Sequence, residues 1–355
     1  MKRILQITSL ACGGAESVLM NYYRRIDRNI IEFVFGVYEG EEGFYTKELK
    51  QMNADILRLK SAVHILKNRK IIKDLKKNID AIEIHTENAH SFVWIILAYL
   101  CGIKEIYVHS HNTSTKHIIQ HKISKIFLNK FHFVQFACGK EAAKYMYYNY
   151  KDTFIVRNAI DTNKFKYDVN KRMKVREKLD LKNKFVIGNV ARMTNIKNQI
   201  FLVDILHHML EINKMSILVL VGDGPEKHNI IRHAEELGIE DKVKFVGLTS
   251  EVEYYMSAFD VFVLPSLFEG LPTVAIEAQG VGMKCFLSNS ITKEVDITGR
   301  VQFISLKRTA NEWAKIICKE KCDLMDTKEL ILNHGYDIEY EVKRLQNKYQ
   351  NIEGD

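Results

Sequence analysis

Short apolar runs rich in Val, Ile and Phe return along the whole chain, each followed by a stretch with helical spacing, and this alternation limits the folds open to it. In the first half the runs are 3–8, 33–37, 55–59, 82–85, 105–109, 134–138 and 154–156; in the second they are 185–191, 217–222, 243–247, 261–264, 285–288 and 302–304. Helical patterns lie between them, as at 15–26, 90–100 and 140–147. Runs this short and apolar suit sheets covered on both faces, and their alternation with helices predicts an α/β fold of parallel, doubly wound sheets. A chain of 355 residues has room for two such domains. The charged stretch 164–184 is the natural boundary, with domains over 1–165 and 180–335. Residues 336–355 close the chain with an amphipathic helix that sets Ile338, Val342, Leu345 and Tyr349 near one face.

With 46% hydrophobic and 27% charged residues, the composition is that of a soluble globular protein. The apolar stretch 92–101 is about half the length of a membrane span and reads as a buried helix. The first residues run straight into a strand pattern, with no secretory leader. The six cysteines (12, 101, 138, 285, 318 and 322) form no Cys-x-x-Cys pair, so a reducing, cytoplasmic setting is expected. Charge is uneven: residues 1–165 carry a net +9 and residues 166–355 a net −1. A basic first half suits an anionic membrane surface, a phosphorylated acceptor or nucleic acid. Nucleic acid is disfavoured, because the aromatic–basic interleaving of single-strand binders is missing. Two Lys-rich stretches, 61–77 and 116–131, carry apolar residues at helical spacing. Ile118, Ile119, Ile123, Ile126, Phe127 and Phe131 beside Lys116, Lys122, Lys125 and Lys130 form either an interfacial face or one side of a core helix.

The densest chemistry follows the run 261–264. Gly270 and Pro272 break the chain and leave backbone N–H groups unpaired, and Thr273 to Gln279 reads as a helix starting at that break. A strand, a glycine-containing loop and a helix N-terminus suit an anionic ligand. Glu269 falls in the loop and Glu277 about two helical turns on. The two cannot be adjacent, but both can face one elongated ligand. Gly188-Asn-Val-Ala-Arg192-Met-Thr-Asn-Ile-Lys197-Asn198 ends another run. There Arg192 offers a planar fork and Lys197 a point charge, able to grip a diphosphate from two sides. Ser9-Leu-Ala-Cys-Gly13-Gly14-Ala-Glu16 follows the first run; its glycines permit close backbone approach, while the absence of Gly-x-Gly-x-x-Gly disfavours a dinucleotide. His109 and His111, with Ser110 and Asn112, end the run 105–109, and no third ligand cluster accompanies them in the sequence.

The segment Pro265-Ser-Leu-Phe-Glu269-Gly-Leu-Pro-Thr-Val-Ala-Ile-Glu277-Ala resembles the signature of the family 4 retaining glycosyltransferases, with two glutamates eight apart around a Gly-Leu-Pro turn. Further likenesses are Gly13-Gly14-Ala-Glu16, Asn158-Ala-Ile-Asp161-x-x-x-Phe165, Arg192-x4-Lys197-Asn198 with Ala191 where the family has Gly, and Gly222-Asp-Gly224-Pro225. The resemblance implies the GT-B fold, two Rossmann-like domains facing across a cleft, with the C-terminal helix crossing back onto the first domain. Residues 1–165 would then bind the acceptor and 180–335 the nucleotide-sugar donor. Glu269 and the loop amides of Gly270, Leu271, Pro272 and Thr273 would hold the donor sugar, and Glu277 the ribose hydroxyls. Gly14, Arg192, Lys197 and the Gly222 turn would lie by the diphosphate, and backbone groups near Leu248 by the nucleobase. Either His109 or His111 would touch the donor sugar.

The reaction implied moves a hexosyl group from a nucleotide diphosphate sugar, a UDP-sugar by the texture of the match, to a saccharide or lipid-linked acceptor with retention. Bacterial capsule or exopolysaccharide synthesis is the setting, on the cytoplasmic side and at the inner membrane face. In this family retention is explained by front-face attack with the leaving phosphate as base, so Glu269 need not be a nucleophile. The chain contains no Asp-x-Asp, so Arg192, Lys197 and helix N-termini are expected to supply the charge, with no metal and no other cofactor. The rival is a nucleotide-sugar epimerase of the same fold, which would lack the Glu-x7-Glu context.

Overall fold

In a computed structural model of the chain, the apolar runs form thirteen strands in two sheets. All residues are described except 11–12, 41–42, 62–63, 75–78, 116, 321–322 and 352–355, with only the backbone of 74 and 90. Cys12, Lys116 and Cys322 therefore lie outside the described residues. Two compact units result, one from Met1–Ala159 with Ile338–Asp355, the other from Ile160–Asp337.

Unit 1 holds β1 (Lys2–Ile7), β2 (Ile31–Tyr38), β3 (Asp55–Leu59), β4 (Ala81–Thr86), β5 (Glu105–Ser110), β6 (Val134–Ala137) and β7 (Phe154–Ile155). Unit 2 holds β8 (Phe185–Val190), β9 (Ser216–Val221), β10 (Val243–Gly247), β11 (Val261–Leu264), β12 (Lys284–Ser288) and β13 (Val301–Ile304). The orders are β3-β2-β1-β4-β5-β6-β7 and β10-β9-β8-β11-β12-β13, with every ladder parallel. Both are doubly wound. The direction of winding reverses between β1 and β4 in unit 1 and between β8 and β11 in unit 2, and such switch points open crevices at the strand carboxyl ends. Every residue of β9 is buried, as expected of a central strand packed by helices on both faces.

In unit 1, Tyr23, Phe33, Phe35, Tyr107 and Phe136 pack one sheet face, and Tyr349 meets Phe33, Tyr107 and Phe136 at ring separations of 6.0, 5.2 and 6.0 Å. Tyr349 ends the last helix, Ile338–Tyr349, which buries Val342, Leu345 and Tyr349 in this core. Its Glu341 is buried and takes Arg157 at 2.7 Å and Arg344 at 2.8 Å. Unit 2 closes around Trp313, fully buried and edge-on to Phe201 at 5.8 Å.

The units divide between Ala159 and Ile160, so the charged stretch 164–184, read as the boundary, lies inside unit 2; it contains helix Val169–Lys178, capped by Asp168, which accepts from the amides of Asn170 and Lys171. Arg172 and Arg176 converge on Asp260 at 2.5 and 2.6 Å, and Asp260 also accepts the Val186 amide at 2.7 Å. Charge there works inside unit 2, tying this helix to β8 and β11. Pro225 stands in the turn before helix Lys227–Glu236, outside its first turn. Helix Ile118–Leu128 buries His121, Ser124 and Leu128, while Ile118, Ile119, Ile123, Ile126 and Phe127 are exposed by 47–75%. Its outward face is the apolar one. Among the described residues no helix is long and apolar enough to cross a membrane.

Candidate active site

At the unit 2 switch point the carboxyl ends of β8 and β11 lie side by side, and their following loops are bound to each other. The Leu267 amide donates to Ile196 O at 2.8 Å, and Asn198 Nδ2 donates to Pro265 O at 3.2 Å. Asn198 holds φ +58°, a left-handed conformation that asparagine tolerates, and it turns the chain into helix Gln199–Ile212. This geometry delivers Lys197 to Glu269, with Nζ at 2.6 and 2.7 Å from the two carboxylate oxygens. Ser266 Oγ donates to the same carboxylate at 2.7 Å. Ser266 is itself pinned, since its carbonyl accepts from Ser288 Oγ at 2.5 Å and Ser290 Oγ at 2.8 Å. Glu269 is 9% exposed, so its charge is compensated locally and its orientation is set before any ligand arrives. An ammonium group has three N–H donors; two point at Glu269 and one remains.

Arg192, by contrast, is exposed and makes no side-chain hydrogen bond or ion pair among the described residues; its carbonyl accepts from Gln199 Nε2 at 3.2 Å. Beside it, Gly222 has φ +128°, and a Cβ there would lie 2.2 Å from Ala191 O, so β8 and β9 can turn together only with glycine at that position. Leu248 follows β10 with its side chain 54% exposed. Leu271 is buried, and Pro272 is the N-cap residue of helix Thr273–Gly280. The Thr273 hydroxyl is buried without a partner.

One turn into that helix lies Glu277, 6% exposed, its carboxyl making no hydrogen bond among the described residues. Burial pushes its carboxyl up to about 7, with Lys164 opposing the rise and Glu253 adding to it. The structure thus joins Lys197 to Glu269 and leaves Arg192 and Glu277 unengaged. The Lys197–Glu269–Ser266 cluster had no signature, because nothing in the spacing shows that two loops from non-consecutive strands meet.

In unit 1, Gly14 opens helix Gly14–Tyr23, and a Cβ there would meet nothing within 4 Å. The strand pairing sets Gln6, Glu83, His85 and His109 side by side on one face. His109 is 3% exposed, and its Nδ1 lies 3.0 Å from Glu83 Oε1. His111 is partly exposed, and its Nε2 sits 2.9 Å from His85 Nδ1. Burial lowers all three histidines, His85 and His109 to about 3, so the rings are neutral. Gln6, Glu83 and His85 fit no motif and escaped the sequence reading; only the strand register brings them together.

Two doubly wound parallel units, with paired loops and carboxylates at a switch point, define the GT-B class. The family model for glycosyl transferases group 1 matches residues 171–315. The putative glycosyltransferase EpsF of Bacillus subtilis is 31% identical over 98% of this chain and 96% of its own length. The chain belongs to the glycosyl transferases group 1 family and is a glycosyltransferase. The capsular polysaccharide biosynthesis glycosyltransferase CapH of Staphylococcus aureus is 25% identical over 79% of each chain. Anabaena HepE, solved with UDP and glucose, shares the fold with a TM-score of 0.82 at 20% identity, over 99% of this chain and 100% of its own.

The state of Glu277 has a stability consequence. Its ordinary value of 4.5 stands for the unfolded chain and about 7 for the folded one. Below pH 4.5 both states hold the proton; between 4.5 and 7 the folded state keeps a proton the unfolded state has lost, so stability falls as pH rises. Above about pH 7 the full cost is roughly 3 kcal/mol. Glu277→Gln should therefore stabilise the ligand-free protein in urea unfolding, with a gain that grows by about 2–3 kcal/mol from about pH 5 to about pH 8. A gain that does not change with pH would contradict a carboxyl strained by burial.

Proposed function

We propose that this protein transfers a hexosyl group from a UDP-sugar to a hydroxyl of a saccharide or lipid-linked acceptor, with retention, in bacterial surface polysaccharide synthesis. The observation that carries the reading is the division of labour at the unit 2 switch point. One carboxylate, Glu269, is held in place by Lys197 and Ser266, while a second, Glu277, is buried with no hydrogen-bond partner for its carboxyl among the described residues. The first suits fixed contacts to sugar hydroxyls. The second suits ribose hydroxyls, which supply the donors it lacks and offset its desolvation.

The diphosphate falls to Arg192, to the third N–H of Lys197 and to the amides at Thr273 and Val274, which have no acceptor within the helix. With that much positive charge and no Asp-x-Asp, the donor is held without a metal. Both Glu269 oxygens face an ammonium, which blunts the carboxylate as a nucleophile and favours front-face transfer with the leaving phosphate as base. In unit 1, Gly14 leaves room for a ligand, and His109 or His111 is assigned to the sugar. Polysaccharide synthesis is supported by the names of the relatives, EpsF and CapH among them. Donor binding is supported by HepE, whose structure holds UDP and glucose.

The acceptor side is assigned to unit 1 and to an anionic membrane surface. Helix Ile118–Leu128 presents Ile119, Ile123, Ile126 and Phe127 outward, flanked by the exposed Lys122 and Lys130. Apolar side chains between lysines suit the headgroup boundary of an anionic leaflet, where the enzyme would sit peripherally on its cytoplasmic side. Lys125 does not belong to that set, since its Nζ donates to Lys144 O and Tyr145 O at 2.9 and 2.7 Å.

Two experiments test the reading. Glu269→Ala should abolish transfer in a folded protein, while Arg192→Ala should weaken UDP by about 10-fold to 150-fold and uridine hardly at all, equally in EDTA and in Mn²⁺. Equal loss for UDP and uridine, or UDP binding that appears only with Mn²⁺, would overturn the donor assignment. Sedimentation with liposomes should show binding that needs anionic lipid, fades with salt and drops when Lys122 and Lys130 become Gln or Ile119 and Ile123 become Ser. Binding that ignores all four replacements, or none at low salt, would remove the membrane contact from this helix.

A further inference from the structure

We infer that His85, His109 and His111 form a binding site for one divalent transition-metal ion, zinc first, inside unit 1. One ring nitrogen from each histidine lies within 4.8 Å of the others. Which nitrogens these are follows from their neighbours. Gln6 Nε2 donates to Glu83 Oε2 at 3.2 Å, so Gln6 Oε1 faces His85 Nε2 at 2.7 Å and must accept its proton. That leaves Nδ1 as the lone pair of His85. Glu83 Oε1 accepts the proton of His109 Nδ1, which leaves His109 Nε2, buried and without any partner. His111 Nε2 donates to that His85 lone pair at 2.9 Å; an ion would take the place of this proton, with His111 carrying its proton on Nδ1 instead.

The three histidines line a cavity of about 10 Å³ together with Tyr22 and Tyr349, about the size of one water or one ion. Zinc–nitrogen bonds of about 2.0–2.1 Å set tetrahedral ligands roughly 3.4 Å apart, a closure within reach of side-chain rotation. Ligating histidines that donate their other N–H to a carboxylate or carbonyl are the usual arrangement around zinc, and Glu83 and Gln6 already stand in those places.

Charge points the same way. The Glu83 side chain is 2% exposed, and its only recorded ion-pair neighbours among the described residues are His109 at 3.0 Å and His85 at 3.8 Å. The carboxylate takes hydrogen bonds from Gln6, His109 and Tyr349, and no Lys or Arg among the described residues pairs with it. A buried carboxylate without a counter-charge is costly. A dication on the far side of His109 would balance it. Ligation through Nε2 leaves the His111 main chain available. The site would clamp β4 to β5 and, through Glu83 and Tyr349, fasten the last helix; it shares His109 and His111 with the residues assigned to the donor sugar and none with unit 2.

The test uses the full chain stripped of metal by a chelator and titrated with Zn²⁺ and Co²⁺. One equivalent should bind, the thermal midpoint should rise, and Co²⁺ should give the intense ligand-field bands of a four-coordinate site. His85→Gln and His109→Gln should each abolish that equivalent, and Glu83→Gln should weaken it by about 10-fold to 100-fold. His233→Gln, at a surface pair with Asp204, should leave it intact. Failure of the wild-type protein to bind one equivalent, or a spectrum of six-coordinate Co²⁺, would overturn the site whether or not the variants fold. Binding that survives His85→Gln or is lost in His233→Gln would place the ion elsewhere.

Discussion

A parallel sheet has one carboxyl edge, and everything that carries chemistry here is attached to it. In unit 2 the decisive contact on that edge is the Lys197–Glu269 ion pair, because it joins loops that follow β8 and β11. Without it the Glu269 loop would hold a buried charge with only Ser266 as donor. Removing one partner of a buried pair costs about 3–5 kcal/mol. The Leu267 and Asn198 bonds to the opposite loop, and the two serines on the Ser266 carbonyl, are spent on keeping that pair in one geometry. Rigidity of this sort precedes ligand binding, and a site that is already ordered loses less on association.

The two units handle buried carboxylates differently. Glu269 has Lys197 and Glu83 has Gln6, His109 and Tyr349, while the Glu277 carboxyl makes no hydrogen bond among the described residues and is driven toward its neutral form. A carboxyl kept short of partners in the ligand-free protein is a site of stored cost, and such costs persist where a ligand relieves them. That is the physical reason for proposing Glu277 as a ribose contact and Glu83 as the carboxylate that orients a histidine ligand of an ion.

The fold was legible because a parallel sheet buried on both faces prints itself on the sequence as short β-branched runs; β3, β10 and β11 begin and end at the residues the pattern indicates. The pattern could not mark the first boundary between units. The charge in 164–184 looked like a domain boundary, yet Arg172 and Arg176 both point at Asp260, some eighty residues on, and no local rule reveals that partnership. Helix Ile118–Leu128 was ambiguous for a related reason: periodicity shows which residues share a face and not which face turns inward, and here the apolar one turns out. Of the site, the glutamates and the Arg192–Lys197 loop were readable through local motifs, whereas Gln6, Glu83 and His85 depend on the register of β1, β4 and β5, which only the folded sheet displays.

The central claim is that the carboxyl edge of unit 2 is built for a nucleoside diphosphate sugar. Thermal unfolding of the purified chain against a panel of nucleosides, nucleoside diphosphates and their sugars measures this most directly. A ligand at 100 times its dissociation constant adds about 2.7 kcal/mol of stability. The account predicts a clear rise in midpoint with UDP and a UDP-sugar, a small one with uridine, and none with inorganic phosphate alone. No rise with any nucleoside diphosphate, or an equal rise with uridine and UDP, would contradict it.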